Sequence, residues 1–222
     1  MAEDRINWEP QSVADIGVAL SRIGDNFRSS ISQIYASFNQ LGLNQKWVGK
    51  NYNIIANDMM NTSIPSFENW SNYLQLEIPQ TVCGIAETHA GENGTVSYSL
   101  VQISDEIKHI DETVEKSDGS QILESDVVRS EINNTLPSQC EEAYSILQFY
   151  YNQFEELGTL DENAAMLTIY NELDSILSKC RDTLQYFQEE ITGAVEKSVQ
   201  KTEFTNQEAI EMANKLASIL NA

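Results

Sequence analysis

The sequence predicts an all-α protein, built from long antiparallel helical hairpins that pack as an elongated four-helix bundle. Apolar residues recur every three or four positions over long stretches, which is the spacing of amphipathic helices. Helix-breaking residues are sparse, with 4 Pro and 10 Gly in 222 residues. No segment shows the apolar–polar alternation of a half-buried strand. The bundle could form within one chain, or by exchange of hairpins in a dimer.

The first element is a long helix over residues 11–41 with a single apolar seam, meaning one row of apolar side chains along one face. The seam is Ile16, Leu20, Ile23, Phe27, Ile31, Ile34, Phe38 and Leu41. Such a narrow stripe resembles a coiled-coil face more than the side of a globular core. The helix therefore needs a partner helix along its whole length.

A turn and a second long helix follow. Gly42, Asn44 and Gly49 mark the turn, and the apolar spacing resumes from Tyr52 to Ile85. Proline lacks a backbone N–H and clashes with the preceding helical turn. We therefore expect Pro65 to restart the helix after an interruption near 61–66, and Pro79 to kink it.

The rest of the chain divides into a connection and a second hairpin. The spacing of Leu100, Ile103, Ile107, Ile110 and Val114 predicts a connecting helix. Further periodic runs predict helices over 128–154 and 162–203, and Thr205 is a candidate N-cap for a short last helix. We thus expect a first hairpin over 1–92, a connecting helix and linker over 93–120, and a second hairpin with a short C-terminal helix over 121–222.

The two halves also resemble each other. Phe38-Asn39-Gln40-Leu41-Gly42 ends the first long helix, and Phe154-Glu155-Glu156-Leu157-Gly158 ends the corresponding helix of the second half. This similarity favours an internal duplication. Chance likeness between two periodic hairpins is the alternative.

Charge and motif content exclude several function classes. The net charge of −21 argues against nucleic acid and anionic membranes as partners, because both attract clustered Lys and Arg. No apolar run is long enough for an integral membrane segment, and the N-terminus lacks the pattern of a Sec-type signal peptide. With 2 His and no catalytic, phosphate-binding or zinc motif, we expect no metal, no cofactor and no enzymatic activity.

Cys140 and Cys180 lie at equal distances from residue 160, the centre of the second turn. In an antiparallel hairpin they would stand at the same height on the apolar seam. We expect them to be core neighbours with free thiols, at a Cα separation not well above 7 Å.

Residues 11–90 resemble the WXG family, the hundred-residue Trp-Xaa-Gly proteins related to the early secreted antigenic target. Trp47-Val48-Gly49 lies in the turn between two long helices, with Tyr52 one turn later and Phe67-Glu68-Asn69-Trp70 in the return helix. A glycine suits a place where backbones approach closely, and a Trp beside it can close the end of the apolar seam. Alternatively, Trp47 is simply a core aromatic near a loop.

The resemblance implies a non-enzymatic protein of a type VII secretion pathway, either an exported substrate or a partner that escorts one. Trp47 and Gly49 would shape the hairpin turn, and the hairpin would be packed by Phe38, Leu41, Tyr52, Phe67 and Trp70. The expected partner is another protein or a second copy of the chain, and the expected location is outside the cell. The alternative is a cytosolic coiled-coil-like scaffold or adaptor. The chain departs from the family in its length and in carrying Gly158-Thr159-Leu160 where a second Trp-Xaa-Gly would stand.

Overall fold

The computed structural model describes residues 9–91, 94–103, 106–107, 110, 122–155, 157, 164–193 and 206–220. Within these ranges the chain forms five helices and one two-stranded ladder, so the all-α prediction is confirmed. We number the helices α1 to α5 and the two strands β1 and β2 in chain order.

Helix α1 runs over Pro10–Leu43, as its periodic seam predicts. Pro10 stands in the first turn, where its missing N–H costs no helical hydrogen bond. The burial of α1 is broader than one seam, because the polar residues Ser21, Arg28 and Asn39 are buried as well. Helix α1 contacts both α2 and α3, and two neighbours cover more of its surface than the single partner that the sequence predicts.

Helix α2 covers residues 50–90 without the expected interruption. Its α-helical parts are Lys50–Asp58, Ile64–Asn72 and Ile78–Ala90, joined by π-helical turns at Met59–Ser63 and Tyr73–Glu77. The N–H of Ile64, directly before Pro65, bonds to the Met59 carbonyl five residues back, and the N–H of Ile78 before Pro79 bonds to Tyr73 in the same way. The prediction of a break near 61–66 was therefore wrong: a wider turn precedes each proline, and the helix continues.

The connecting helix is not found where the structure describes this segment. Residues 94–103 contain neither helix nor strand, and residues 111–121 lie outside the described part. We call the described residues between 94 and 110 the strap. It follows α1, since Ser97 exchanges hydrogen bonds with the Gln11 side chain and the Val101 N–H donates to Ser21 Oγ at 3.0 Å. Ile107 and Ile110 at its far end are buried.

A two-stranded antiparallel ladder, absent from the prediction, joins the two halves. Strand β1 (Trp47–Val48) pairs with β2 (Ile122–Leu123), with Trp47 opposite Leu123. Next to it, the Glu124 N–H donates to the Lys46 carbonyl at 2.8 Å, and the Lys46 ammonium lies 2.7 Å from the Glu124 carboxylate. Two-residue strands are too short for alternation to reveal them.

The second half forms another antiparallel pair and a last short helix. Helix α3 (125–155) consists of Ser125–Ser130, a π turn at Glu131–Thr135 and Leu136–Glu155. Helix α4 (164–193) returns beside it, so that Gln188 donates to the Pro137 carbonyl and Thr192 to the Ile132 carbonyl. Helix α5 (Asn206–Leu220) lies against α2 and α4. The second turn and the Thr205 cap lie outside the described residues.

The two antiparallel pairs pack on each other. Tyr150 on α3 donates a buried hydrogen bond to the Leu74 carbonyl on α2 at 2.8 Å, and Tyr35 on α1 contacts Phe187 on α4 edge to face. None of the described helices combines enough length with enough apolar character to cross a membrane. The domain boundaries at 92 and 120 stay a prediction.

Candidate functional site at the hairpin tip

The turn between α1 and α2 encloses three aromatic rings. The rings of Phe38 and Tyr52 stack with centroids 5.2 Å apart. The Trp47 indole meets Phe38 at 6.0 Å and Tyr52 at 5.8 Å, both nearly edge to face. All three residues are buried. We call Phe38, Trp47 and Tyr52 the aromatic plug, because they close the end of the apolar space between the two helices.

Two glycines permit this geometry. Gly49 adopts a φ of 134°, a conformation that side chains rarely accept, at the position where β1 passes into α2. Gly42 lies directly under Tyr52, so a Cβ on Gly42 would come within 2.5 Å of the phenol ring and its oxygen. That Trp47 and Gly49 shape the turn stays a prediction, to which the structure adds the burial of Trp47 and the positive φ of Gly49.

The Tyr52 hydroxyl is buried at the base of the plug. It lies beside the Gly42 backbone but has no hydrogen bond of good geometry. Burial raises the pKa of Tyr52 to about 12, and the Gly42 backbone only partly offsets this effect. The group is therefore neutral at ordinary pH and acts as an apolar ring with one unsatisfied polar atom.

The other predicted packing residues lie further from the tip. Leu41 is buried near the end of α1, whereas Phe67 lies in the middle of α2 between Phe27 and Tyr35 of α1. Trp70, one turn beyond Phe67, is only partly buried, and the two ring centroids are 5.1 Å apart. The five predicted residues therefore do not form one site: Phe38 and Tyr52 belong to the plug, Phe67 lies in the core between α1 and α2, and Trp70 reaches the surface of α2.

Cys140 and Cys180 are buried free thiols near the bundle centre. Both contribute to the raised pKa of Tyr35, after the larger effect of its burial, and Cys140 contributes to the raised pKa of Cys180. Burial, with a smaller contribution from the charge of Glu141, raises the pKa of Cys140 to about 12. These thiols are unreactive at neutral pH, because the thiolate is the nucleophile. Their separation stays a prediction.

Sequence reasoning missed a buried polar network between α1, α2 and the strap. Arg28 donates from Nε to Gln75 Oε1 at 3.0 Å and from Nη1 to Glu68 Oε1 at 2.5 Å, and it also bonds to Asn72. Glu68 accepts from the Ile107 N–H at 3.0 Å with its other oxygen. An arginine directly after the seam residue Phe27 was the available signal, but its partners are more than 35 positions away.

A second missed feature is a surface cavity between α2 and α4. Trp70, Tyr73 and Glu77 contribute one wall, and Glu172 and Ser175 contribute to the other. Within the described ranges no group of three or more His, Cys, Asp or Glu is arranged to hold a metal ion. The Tyr73-x-x-x-Glu77 pattern, visible in the sequence, falls on the π turn beside this cavity.

No protein-family model, no curated protein and no solved structure matches the chain.

Proposed function

We propose that the chain is a non-enzymatic helical-hairpin protein of a type VII secretion pathway, either an exported substrate or an escort of one. The observation that carries the proposal is the hairpin tip. Trp47 is buried against the stacked rings of Phe38 and Tyr52, and Gly49 provides the backbone conformation in which β1 passes into α2. A closed tip of this kind holds two long helices together and presents their outer faces for helix–helix recognition.

We further propose that the two antiparallel pairs form an elongated four-helix bundle in which the second hairpin takes the place of a partner hairpin. Three contacts support this packing: Tyr150 to the Leu74 carbonyl, Tyr35 to Phe187, and Gln139 to Ser37. Each joins the first hairpin to the second. The chain would then be a dimer of hairpins fused into one polypeptide, and sedimentation equilibrium should give the mass of one chain.

A cytosolic scaffold or adaptor is the second candidate. It is favoured by the extent to which the chain covers its own apolar faces, since the buried hydrophobic residues of the described helices form one continuous core. A protein that buries all its apolar seams within one chain needs no partner hairpin for stability. On this reading the acidic outer surface, and not the tip, would carry the interactions.

Export is the decisive measurement. The intact chain should be recovered from culture medium without cell lysis, and recovery should stop when the membrane-bound ATPase of the type VII system is deleted. An escort should instead remain inside and co-purify with an exported partner. The scaffold would be favoured by two results together: the chain stays inside the cell, and every other substrate is still exported when the chain is deleted.

The role of the tip can be tested separately. We compare Trp47→Phe and Gly49→Ala with Gly84→Ala, a glycine in α2 beside which a Cβ would meet no atom within 4 Å. Export or partner binding should fall for the two tip variants and persist for Gly84→Ala. Circular dichroism must show that the helices remain. A folded Trp47→Phe variant with normal export would reject the proposal that the closed tip is needed for recognition by the helix faces.

A further inference from the structure

The cavity between α2 and α4 has a volume of about 440 Å³, within the range of small-ligand sites. Its α2 wall lies where the helix passes into the π turn Tyr73–Glu77, and its α4 wall extends from Glu172 over the next helical turn to Ile176. None of the residues that line it is basic. The cavity is open to solvent, since Glu77, Glu172 and Ser175 are exposed.

One wall of the cavity is aromatic. Trp70 is half-buried, and its ring is held edge to face by the fully buried Phe67, with centroids 5.1 Å apart. Tyr73, one turn further along α2, is likewise half-buried. An aromatic face that stays partly exposed beside carboxylates attracts cations through the ring quadrupole as well as through charge.

Two carboxylates converge on the same space from different helices. The Tyr73 hydroxyl on α2 donates to Glu172 Oε2 on α4, which orients that carboxylate. Burial, followed by this bond and the negative charges of Glu172 and Glu77, raises the pKa of Tyr73. Both carboxylates line the same cavity, and Asn69 and Ser175 add further polar groups to its lining.

From this arrangement we infer that the cavity binds a guanidinium group, with the plane of the cation on the Trp70 ring and its N–H donors on Glu77 and Glu172. Guanidinium is planar, stacks on aromatic rings and presents several donors to carboxylates, whereas an ammonium offers a compact point charge. A hard divalent ion needs several oxygen ligands around it, and the described residues contain no group of three or more His, Cys, Asp or Glu arranged to hold a metal ion. This inference does not rest on the secretion proposal.

The guanidinium could belong to a free small molecule or to an arginine side chain of a peptide. The probes are therefore agmatine, N-acetyl-arginine amide, and N-acetyl-lysine amide as the ammonium counterpart. Binding is measured by calorimetry and by ¹⁹F NMR of the 5-fluorotryptophan-labelled full-length chain, with the Trp70 signal assigned from Trp70→Phe. We expect both guanidinium probes to shift that signal and to bind about tenfold more tightly than the lysine probe. Comparison of agmatine with the arginine amide distinguishes the two sources.

A matched control distinguishes binding in the cavity from the general attraction of cations to an acidic protein. Glu77→Gln/Glu172→Gln and Glu141→Gln/Glu142→Gln remove the same charge, and the second pair is exposed on α3, outside the cavity lining. We expect the first double variant to weaken agmatine binding about tenfold or more and the second to change it less than about twofold. Trp70→Leu should weaken binding with both carboxylates in place.

Three outcomes would overturn the inference. Equal weakening by both double variants would show nonspecific attraction to the net charge. A Ca²⁺ titration that shifts the Trp70 signal and excludes agmatine would show a divalent-cation site. A Trp70 signal unmoved by all three probes at about 10 mM, where even an affinity weaker than 1 mM would be visible, would show that no such site exists.

Discussion

Gly24 on α1 and Gln75 on α2 bring two helix backbones into direct contact. A Cβ on Gly24 would lie 2.8 Å from both the Cα and the N of Gln75, closer than side-chain carbons approach backbone atoms. The same approach allows Ser21 to donate to the Gln75 carbonyl at 2.9 Å, and lets the Gln75 side chain reach Asp25 and Arg28. The register of α1 against α2 is therefore set at this point, by the absence of one side chain.

Gly24→Ala should destabilise the protein by about 2 kcal/mol, because the blocking atoms are backbone and cannot rotate away. Gly84→Ala is the matched control. Gly84 lies in α2 where a Cβ would meet no atom within 4 Å, so the higher helix propensity of Ala should raise the free energy of unfolding by about 0.5–1 kcal/mol. Urea unfolding of the two variants measures the difference. Equal stabilities would mean that the helices separate more easily than the contact indicates.

Arg28→Met should lower the free energy of unfolding by about 2–4 kcal/mol, because Glu68 and Gln75 both lose the buried Arg28 donor from which they accept hydrogen bonds. The Arg28 side chain is 5% exposed and that of Glu68 26%. Arg181→Met is the control, since Arg181 and its partner Asp182 are 55% and 48% exposed. That exposed pair should contribute less than about 0.5 kcal/mol. A loss for Arg28→Met as small as that of the control would contradict the role of the network.

The protein should lose stability in alkali above about pH 9. The folded state holds the protons of Cys140 and Tyr52 to a pKa of about 12, whereas the unfolded chain releases them near the ordinary values of 9.0 and 10.0. Raised pKa values contribute stability that is complete below the unfolded pKa and is lost as the pH rises towards the folded one. Thermal melting between pH 7 and 12 should therefore show a falling midpoint.

Between pH 10 and 12, the free energy of unfolding of the Tyr52→Phe variant should decrease by about 1.4 kcal/mol per pH unit less than that of the unmodified protein. At pH 7 the substitution should cost nothing, because the Tyr52 hydroxyl is buried without a hydrogen-bond partner. Tyr150→Phe provides the contrast, since the Tyr150 hydroxyl donates to the Leu74 carbonyl at 2.8 Å and its removal should cost about 1 kcal/mol at pH 7. The reverse order at pH 7 would show that Tyr52 is bonded after all.

The predicted proximity of Cys140 and Cys180 can be measured by a double-mutant cycle. Cys140→Ala and Cys180→Ala should each cost roughly 1–2 kcal/mol as cavities in a buried core. If the two residues are neighbours, the double variant should deviate from additivity by about 0.5 kcal/mol or more. Cys83 packs against Ala14 and Gly17 at the other end of α1, so Cys83→Ala combined with Cys140→Ala should be additive. Additivity in both cycles would reject the neighbour prediction.

The long helices could be predicted because the three-and-four spacing of their apolar residues is a local property. Helix α1 follows its seam from Pro10 to Leu43 almost as expected. The prolines show the limit of that reasoning. A proline predicts a local disturbance, but whether the helix breaks at Pro65 or widens into a π turn depends on packing from both sides, as in the contact of Ser63 with Tyr35 at 2.6 Å.

The strap shows why the connection was predicted wrongly. Leu100, Ile103 and Ile107 have helical spacing, yet the described residues 94–103 are irregular. The backbone finds its partners on distant side chains: Gln11, Ser21 and Glu68 accept from its N–H groups. A helix would satisfy those groups internally, and only the folded α1–α2 surface offers the alternative.

The ladder between β1 and β2 bears on the order in which the molecule folds. Each antiparallel pair is formed by helices that follow each other closely in the sequence, whereas pairing Val48 with Ile122 closes a loop of roughly 75 residues and has the larger entropic cost. Contacts with such sequence separation form slowly. We therefore expect both hairpins to assemble early and the ladder to form late. Until it does, Trp47 lacks its strand partner Leu123, although the Phe38 and Tyr52 rings around it belong to the early hairpin.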